Sequence, residues 1–214
     1  MALTLYDYHR SSASYRVRIA LNLKGVDYRR VAVNLLEGEQ QDEAYRALNP
    51  QGLVPMLDTG EERLTQSLAI ISWLEWKYPA PFLLPVNPSV RAHVLALTLT
   101  IAADIHPLNN LRVLKRLTAM GIDQAGRDEW YRHWITEGFG ALEALAAPRA
   151  GDFLFGNTPS LADVFLVPQM FNARRFDVPL EPYPTLVRAD ANAAALEPFA
   201  AAHPDRVAPE AASG

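Results

Sequence analysis

The sequence predicts two parts of different class, an α/β half with a small mixed sheet followed by an all-α half. Three observations support this division. Strand-like and helical patterns alternate over the first eighty residues, four prolines fall between positions 79 and 88, and only helical patterns follow. A chain of 214 residues is long enough for two small domains. We therefore predict a first domain at 1–80, a linker at 81–88 and a helical domain at 89–214.

The first half has the predicted order β-α-β-α-β-β-α. Strands are assigned to short apolar or β-branched runs, and helices to apolar residues that recur every three or four positions. Serines precede the first helix as candidate caps, Gly25 follows it, and Ser67 is predicted to cap the last helix. In chain order the predicted elements are Leu3–Tyr8, Val17–Lys24, Tyr28–Asn34, Asp42–Leu48, Val54–Asp58, Arg63–Gln66 and Leu68–Tyr78.

The second half is predicted to contain helices only. Pro107 lies within the first of them and should kink it or mark a local break. Ser160 and Asp163 form a capping box ahead of an apolar run, so a helix should begin near Ser160. The tail from Pro204 to Gly214 is expected to be frayed. The predicted helices cover 89–119, 123–147, 160–175 and 183–202.

Composition excludes several classes of function. With 20 basic against 24 acidic residues, the chain does not suit binding to nucleic acid. It has no cysteine, which excludes disulfides, thiolate metal sites and a cysteine nucleophile. No two of the five histidines lie within four residues, so no helical metal pair exists and we expect no metal. The most apolar stretch, Val94–Ala103, is too short to cross a membrane, and the start lacks a secretory pattern, so we expect a cytoplasmic protein.

The segment His9–Arg18 is the first candidate for function. A serine at a helix N-terminus lies in the positive field of unpaired backbone N–H groups, which stabilises an anion such as a thiolate or a carboxylate. Arginines at positions 10, 16 and 18 add positive charge. The alternative is that the serines only cap the helix and the arginines form a solvated face.

Two further candidates follow in the first half. A cis bond between Val54 and Pro55 would turn the backbone groups of Val54 outward toward an extended ligand, although an X-Pro bond is ordinarily trans. Gln66 and Ser67 precede the next helix, where Ser67 can hold a carboxylate or simply cap the helix.

In the helical half, Asp104–Asn110 brings polar groups into an apolar helix beside Pro107, where they can satisfy freed backbone groups. Arg174 and Arg175 end a helix, where cations complement the helix dipole and can also be simply solvated.

Taken together, these segments resemble the cytosolic glutathione transferase superfamily over essentially the whole chain. Within it they are most similar to the zeta class, which includes maleylacetoacetate and maleylpyruvate isomerases. The resemblance implies a thioredoxin-like N-terminal domain, an all-helical C-terminal domain, glutathione as cofactor and a homodimer. It is carried by the segments at 10–21, 47–50, 66–71, 104–110, 173–176 and 182–184.

The resemblance also implies roles for individual residues. Ser11 would donate a hydrogen bond to the glutathione sulfur, with Ser12 beside it, and Arg10 and Arg175 would bind the carboxylates of an unsaturated diacid. The cysteinyl backbone would pair with Val54 at Pro55, and Gln66 and Ser67 would hold the γ-glutamyl carboxylate. The remaining implied glutathione contacts are Gln40 or Gln41, Gln51 and Asn109. Asn109 would lie near the dimer cleft with Asp104 and His106, and His106 would bind substrate.

The activity implied is glutathione-dependent cis–trans isomerisation of maleylacetoacetate to fumarylacetoacetate in tyrosine and phenylalanine breakdown. The sequence departs from the zeta motif at Ala13, where the class usually has cysteine, and maleylpyruvate isomerases lack that cysteine too. Maleylpyruvate isomerisation in gentisate degradation and a zeta-like transferase with another substrate are therefore alternatives. A noncatalytic glutathione-binding protein is the alternative from a different class.

Overall fold

The computed structural model describes residues 3–208. Its internal contacts divide the chain into two compact units. One comprises Met1–Phe82 together with the chain from Leu196 onward, and the other comprises Leu83–Ala195. The sequence placed everything from residue 89 in one helical domain, whereas these contacts group the C-terminal segment with the first unit.

A four-stranded mixed sheet forms the centre of the first unit, with strand order β2-β1-β3-β4. The strands are β1 (Leu3–Asp7), β2 (Tyr28–Ala32), β3 (Met56–Asp58) and β4 (Arg63–Thr65). β1 pairs with β2 in parallel and with β3 in antiparallel orientation, and β3 pairs antiparallel with β4. Each strand lies within its predicted range and is shorter by one or two residues.

Three helices accompany this sheet: α1 (Ser12–Leu23), α2 (Glu43–Leu48) and α3 (Ser67–Lys77), with a short 3-10 turn at Glu39–Gln41. Gly25 adopts a positive φ directly after the C-cap of α1, as the sequence predicted. The predicted cap of α3 is wrong. Gln66 occupies the cap position, and Ser67 is the first helical residue because the chain enters the helix through a left-handed φ of 68° at Gln66.

The C-terminal segment of the first unit contains α9 (Glu197–Ala201) and α10 (Pro204–Val207). α9 packs against α1, and the Asn22 amide donates to the carbonyl oxygen of Pro198 at 3.0 Å. One helix over 183–202 was predicted, but it is interrupted ahead of Pro198, which lies in the first turn of α9. The predicted fraying of the tail is wrong for Pro204–Val207, and positions 209–214 lie outside the described residues.

The second unit is helical, as predicted. α4 begins at Pro88, capped by Asn87, and leads into a π-helical stretch at Thr100–Ile105. Pro107 follows that stretch and the helix ends there, so the predicted break is found. The helices of this unit are α4 (Pro88–Leu99), α5 (Leu111–Ala119), α6 (Gln124–Ala146), α7 (Leu161–Arg175) and α8 (Pro184–Ala194).

α7 is the central helix of the second unit, and nearly every residue along its first three turns is buried. Its N-terminus carries the predicted capping box. Asp163 Oδ2 accepts hydrogen bonds from the backbone N–H and the hydroxyl of Ser160, at 2.8 and 2.9 Å. Asp163 Oδ1 accepts from the backbone N–H of Leu154 at 2.8 Å, which ties the preceding loop to the start of the helix.

Burial gives Asp163 a distinctive pH dependence. Its side chain is fully buried, and this desolvation raises its pKa to about 6 from an ordinary 3.8. Between these values the folded state binds more protons than the unfolded state. The free energy of unfolding should therefore fall, by up to about 3 kcal/mol from this group, as the pH rises from about 4 to about 6.

The titration is measured by carboxyl-carbon NMR of the folded protein, with an expected midpoint near 6 for Asp163. Denaturant unfolding of the wild type and of Asp163→Asn at several pH values isolates the contribution, since the variant cannot titrate there. A carboxyl midpoint near 3.8 would contradict this prediction.

Within residues 3–208, no helix is both long and apolar enough to span a bilayer.

Candidate active site

Ser11 lies where β1 is followed by α1. The chain leaves the strand in a tight turn, closed by a hydrogen bond of 2.9 Å from the Ser11 N–H to the carbonyl oxygen of Tyr8. Ser11 is the N-cap of α1, and its Oγ accepts from the backbone N–H of Ser14 at 3.2 Å. Accepting this bond leaves the hydroxyl hydrogen available for donation to a ligand.

The electrostatic environment of Ser11 favours an anion. The first turn of α1 has no acidic side chain, so its unpaired N–H groups keep their positive potential. Arg10 is exposed in the turn directly before Ser11. Burial, and secondarily the positive charge of Arg10, lower the pKa of His9 below its ordinary 6.5. His9 is therefore neutral at neutral pH, and Arg10 is the cation of this turn.

A second candidate lies at the entrance to β3. The bond between Val54 and Pro55 is cis, in place of the ordinary trans form. The preceding carbonyl oxygen, on Leu53, accepts two hydrogen bonds of 2.7 Å from the Tyr45 hydroxyl and the Asn49 amide. These bonds hold the backbone directly ahead of Val54.

Gly52 allows this loop to approach the 3-10 turn closely. Its φ is +58°, and a Cβ placed there would lie 2.8 Å from the backbone oxygen of Gln40. Gln41 Nε2 donates to the carbonyl oxygen of Gly52 at 3.2 Å, so its amide is used within the loop. Gln40 is buried and its Oε1 has no hydrogen-bond partner. Of the two alternatives, Gln41 uses its amide nitrogen within the loop, whereas Gln40 has a buried acceptor without a partner in the described part of the chain.

Gln66 and Ser67 form the N-terminus of α3. Gln66 is exposed and Ser67 is buried, and the first turn of α3 carries no acidic residue. The Gln66 amide nitrogen donates to Oε1 of Gln51 at 3.1 Å, so the structure brings these two predicted residues together. A non-glycine residue held at positive φ is an uncommon conformation that often marks a functional site. This corner offers amide and helix N-terminal donors suited to a carboxylate.

The predicted polar segment at 104–110 begins within the π-helical stretch, continues beyond it, and lies in the second unit. Asn109 is buried, and its Nδ2 donates to the carbonyl oxygen of Tyr131 at 3.3 Å, while its Oδ1 has no partner. His106 is half-buried and Asp104 is exposed. Trp130 Nε1 donates to the carbonyl oxygen of Leu108 at 2.9 Å. Two hydrogen bonds therefore tie this turn to α6, one donated by a side chain of the turn and one donated by a side chain of the helix.

The two arginines at the end of α7 differ in their partners. Arg174 Nη2 forms an ion pair of 2.5 Å with Oδ2 of Asp190, whose side chain is 4% exposed. Arg175 is exposed, and its guanidinium carbon lies 5.0 Å from the centre of the Phe176 ring. Among the described residues, Arg175 has no carboxylate partner. Arg175 is thus the member of the pair available to an anionic ligand.

Sequence reasoning missed the residues that support the first-unit candidates. Tyr45 and Asn49 hold the loop before Val54, and burial raises the pKa of the Tyr45 hydroxyl to about 12, so it stays protonated and donating. Arg16 and Arg18, for which a solvated face was the alternative, are both buried, and Arg18 forms a fully buried ion pair with Asp7 below the Ser11 turn. A tyrosine or arginine at helical spacing carries no local signal for such long-range bonds, so only the structure shows them.

Metal binding has no support in the described part of the chain, where no group of three or more potential metal ligands is found.

Both halves of the chain match family models. Residues 5–82 match the glutathione S-transferase N-terminal domain, and residues 128–207 match the glutathione S-transferase C-terminal domain. A probable maleylacetoacetate isomerase of Vibrio cholerae is 51% identical over 208 residues, covering 96% of this chain and 97% of that protein.

Solved structures agree with these matches. The holo structure of a maleylpyruvate isomerase, described as a bacterial zeta-class glutathione S-transferase, is 49% identical with a TM-score of 0.95, covering 97% of this chain and all of that one. Maleylacetoacetate isomerase from Anaeromyxobacter dehalogenans, with glutathione bound in its active site, is 46% identical with a TM-score of 0.87, covering 96% of each chain. The chain therefore belongs to the glutathione S-transferase family.

Proposed function

We propose that this protein is a glutathione-dependent cis–trans isomerase that converts maleylacetoacetate to fumarylacetoacetate. The observation that carries the proposal is Ser11, placed at the N-terminus of α1 with its hydroxyl hydrogen free to donate and Arg10 beside it. The chain has no cysteine, so a thiol-dependent reaction needs an external thiol. Near-full-length relatives named as isomerases of two cis-unsaturated diacids support this choice of reaction.

The residues of the first unit fit glutathione. The tripeptide carries carboxylates and a thiol that ionises, and two helix N-termini without acidic residues, those of α1 and α3, offer donors to such anions. The Gln66 and Gln51 amides and the buried Ser67 lie together at the second of these termini. In this proposal they hold the γ-glutamyl carboxylate, Val54 pairs with the cysteinyl backbone, and Gln40 contacts the remainder of the tripeptide.

When bound, glutathione supplies the thiolate that adds reversibly to the double bond and so permits rotation about it. The Ser11 hydroxyl donates a hydrogen bond to this sulfur, and the N–H groups of α1 add positive potential, so the thiol ionises at neutral pH. Arg10 and Arg175 are proposed to bind the substrate carboxylates and to stabilise negative charge that develops on the conjugated carbonyl. No side chain has to act as a proton shuttle between the isomers, because addition of the thiolate, rotation and elimination of the thiolate make and break a C–S bond and no C–H bond.

A second candidate is maleylpyruvate isomerase. It is favoured by the TM-score of 0.95 with the solved maleylpyruvate isomerase, while Ala13 does not distinguish the two reactions. The two reactions share a mechanism and differ in the group beyond the conjugated carbonyl. The ratio of kcat/KM for the two diacids, measured on the same preparation, therefore distinguishes them.

The proposed activity is tested with purified protein, maleylacetoacetate and glutathione. We expect fumarylacetoacetate to form far faster than with glutathione alone, and no turnover when S-methylglutathione, which has no free thiol, replaces it. Binding of S-methylglutathione without turnover of either diacid in the presence of glutathione would favour the noncatalytic alternative. Turnover without any added thiol would contradict the mechanism.

The proposal extends to a homodimer and to a cytoplasmic location, both expected from the family resemblance. Sedimentation equilibrium tests the first, with a mass of twice 23.7 kDa as the expected result.

A further inference from the structure

A buried charge network lies directly below the Ser11 turn. Arg18, on the second turn of α1, has a completely buried side chain, and so does Asp7 at the end of β1. Arg18 Nη1 pairs with Asp7 Oδ1 at 2.7 Å, and Arg30 Nε from β2 pairs with Asp7 Oδ2 at 2.8 Å. Both carboxylate oxygens are thus satisfied, and Arg18 has further N–H groups to donate.

The other donors of Arg18 reach two segments outside the sheet. Nη2 donates to the carbonyl oxygen of His9 at 3.0 Å, in the middle of the turn that ends at Ser11. Nε donates to the carbonyl oxygen of Ala202 at 3.1 Å, directly after α9. One planar guanidinium therefore fixes the strand end, the turn and the C-terminal segment in a single geometry.

Stability alone does not account for this arrangement. Apolar side chains of similar volume are often as stabilising as a buried ion pair, because desolvation of the charges opposes their attraction. Apolar side chains cannot, however, hold the oxygen atoms of three separate segments at fixed positions. Arg18 therefore fixes the position of the turn, and with it the position of Ser11 relative to the N–H groups at the start of α1.

We propose that Arg18 is a positioning residue for the Ser11 hydroxyl, anchored to the C-terminal segment through Ala202. This inference rests on the proposed function. Arg18 acts through the turn at His9 and does not itself touch the substrate or the sulfur. Loss of the three-way contact lets the turn relax and weakens the hydrogen bond from Ser11 to the glutathione sulfur.

The test is Arg18→Lys, which keeps the positive charge next to Asp7 but cannot reproduce the planar set of donors. We expect the pKa of the bound glutathione thiol, followed by thiolate absorbance, to rise by about one unit. Since less thiolate is then present, kcat/KM should fall, by up to about tenfold at a pH below the wild-type thiol pKa, and should recover at higher pH. The Kd for S-methylglutathione should change by less than about twofold, because other elements hold the rest of the tripeptide.

Arg30→Lys is the matched control. It keeps charge beside Asp7 and loses the bond from Arg30 Nη1 to the carbonyl oxygen of Val207, but the hydrogen bonds of Arg30 within residues 3–208 go to Asp7 and Val207 and not to the turn. The pKa of the glutathione thiol bound to Arg30→Lys should equal that in the wild type, even if the melting temperature of the variant falls. An equal shift in both lysine variants, or no shift in folded Arg18→Lys, would overturn the inference.

A variant that fails to fold and a failure of the proposed function must each be distinguished from a failure of this inference. If Arg18→Lys does not fold, the double variant Asp7→Leu with Arg18→Met removes the charge pair together, and it should show the same rise in thiol pKa. An unchanged thiol pKa in that folded variant also overturns the inference. A wild type that neither binds glutathione as thiolate nor isomerises a diacid overturns the proposed function and this inference together, whereas an active wild type with an unaffected Arg18 variant overturns the inference alone.

Discussion

Replacing Ser11 with glycine is expected to lower kcat/KM for the cis-diacid substrate by about 100-fold, the scale seen when one donor to a reactive anion is removed from an active site. The loss should arise from a raised pKa of the bound thiol, since the hydroxyl hydrogen bond to the sulfur is gone. Glycine is the informative choice because it replaces a serine N-cap at a cost of only a few tenths of a kcal/mol. The measurement is steady-state kinetics with a parallel thermal melt.

Two further variants control this experiment. Ser11→Thr keeps a hydroxyl at the cap and should retain more activity than the glycine variant. Ser14, also in α1, has a fully buried hydroxyl with no hydrogen-bond partner among the residues that the structure describes. Ser14→Ala removes this hydroxyl and should leave kcat/KM within about twofold of the wild type. If Ser11→Gly keeps a third or more of the wild-type kcat/KM, another group stabilises the thiolate and the catalytic role assigned to Ser11 is wrong.

Replacing Asp163 with asparagine is expected to lower the free energy of unfolding by about 2 kcal/mol at neutral pH, because the cost of one unpaired buried donor is partly offset by removal of the buried charge. In the native protein Oδ1 and Oδ2 both accept backbone hydrogen bonds, from Leu154 and Ser160 respectively. An amide has one acceptor oxygen, so its NH₂ group must face one of these N–H donors and leave it buried and unpaired. Urea denaturation followed by circular dichroism measures the loss.

Ser160→Ala is the matched control for this change. It removes the cap hydroxyl but leaves both carboxylate oxygens on their backbone donors, so the expected loss is about 1 kcal/mol. The critical result is which of the two variants loses more unfolding free energy. A smaller loss in Asp163→Asn than in Ser160→Ala would show that the bridge from the loop to α7 contributes little to stability.

Local patterns predicted most of the fold. The strand and helix order, the division into an α/β half and a helical half, the capping box at Ser160 and the break near Pro107 all follow from residues close together in the chain. Such features depend on side-chain periodicity and on hydrogen bonds over three or four residues, which the sequence displays directly. The boundaries were less predictable, because helix and strand ends depend on which backbone groups find partners elsewhere.

The candidate site was only partly predictable. Ser11 as the cap of α1 follows from a serine ahead of a helical pattern, but the choice of Gln66 over Ser67 as the cap of α3 depends on one backbone angle. The bonds that hold the loop before Val54 come from Tyr45 and Asn49, whose separate positions carry no signal for a shared acceptor. The family resemblance supplied roles for residues that spacing alone left open.

By itself, the sequence determined the two-part architecture, the family and the position of the helix N-terminus that carries Ser11. Only the tertiary structure decided where the C-terminal segment packs, which residues support the turn, and which arginine at the end of α7 has an ionic partner. The physical reason is separation along the chain. The bond from Arg18 to Ala202 joins residues 184 positions apart, and no local propensity encodes a contact that exists only after both segments have packed.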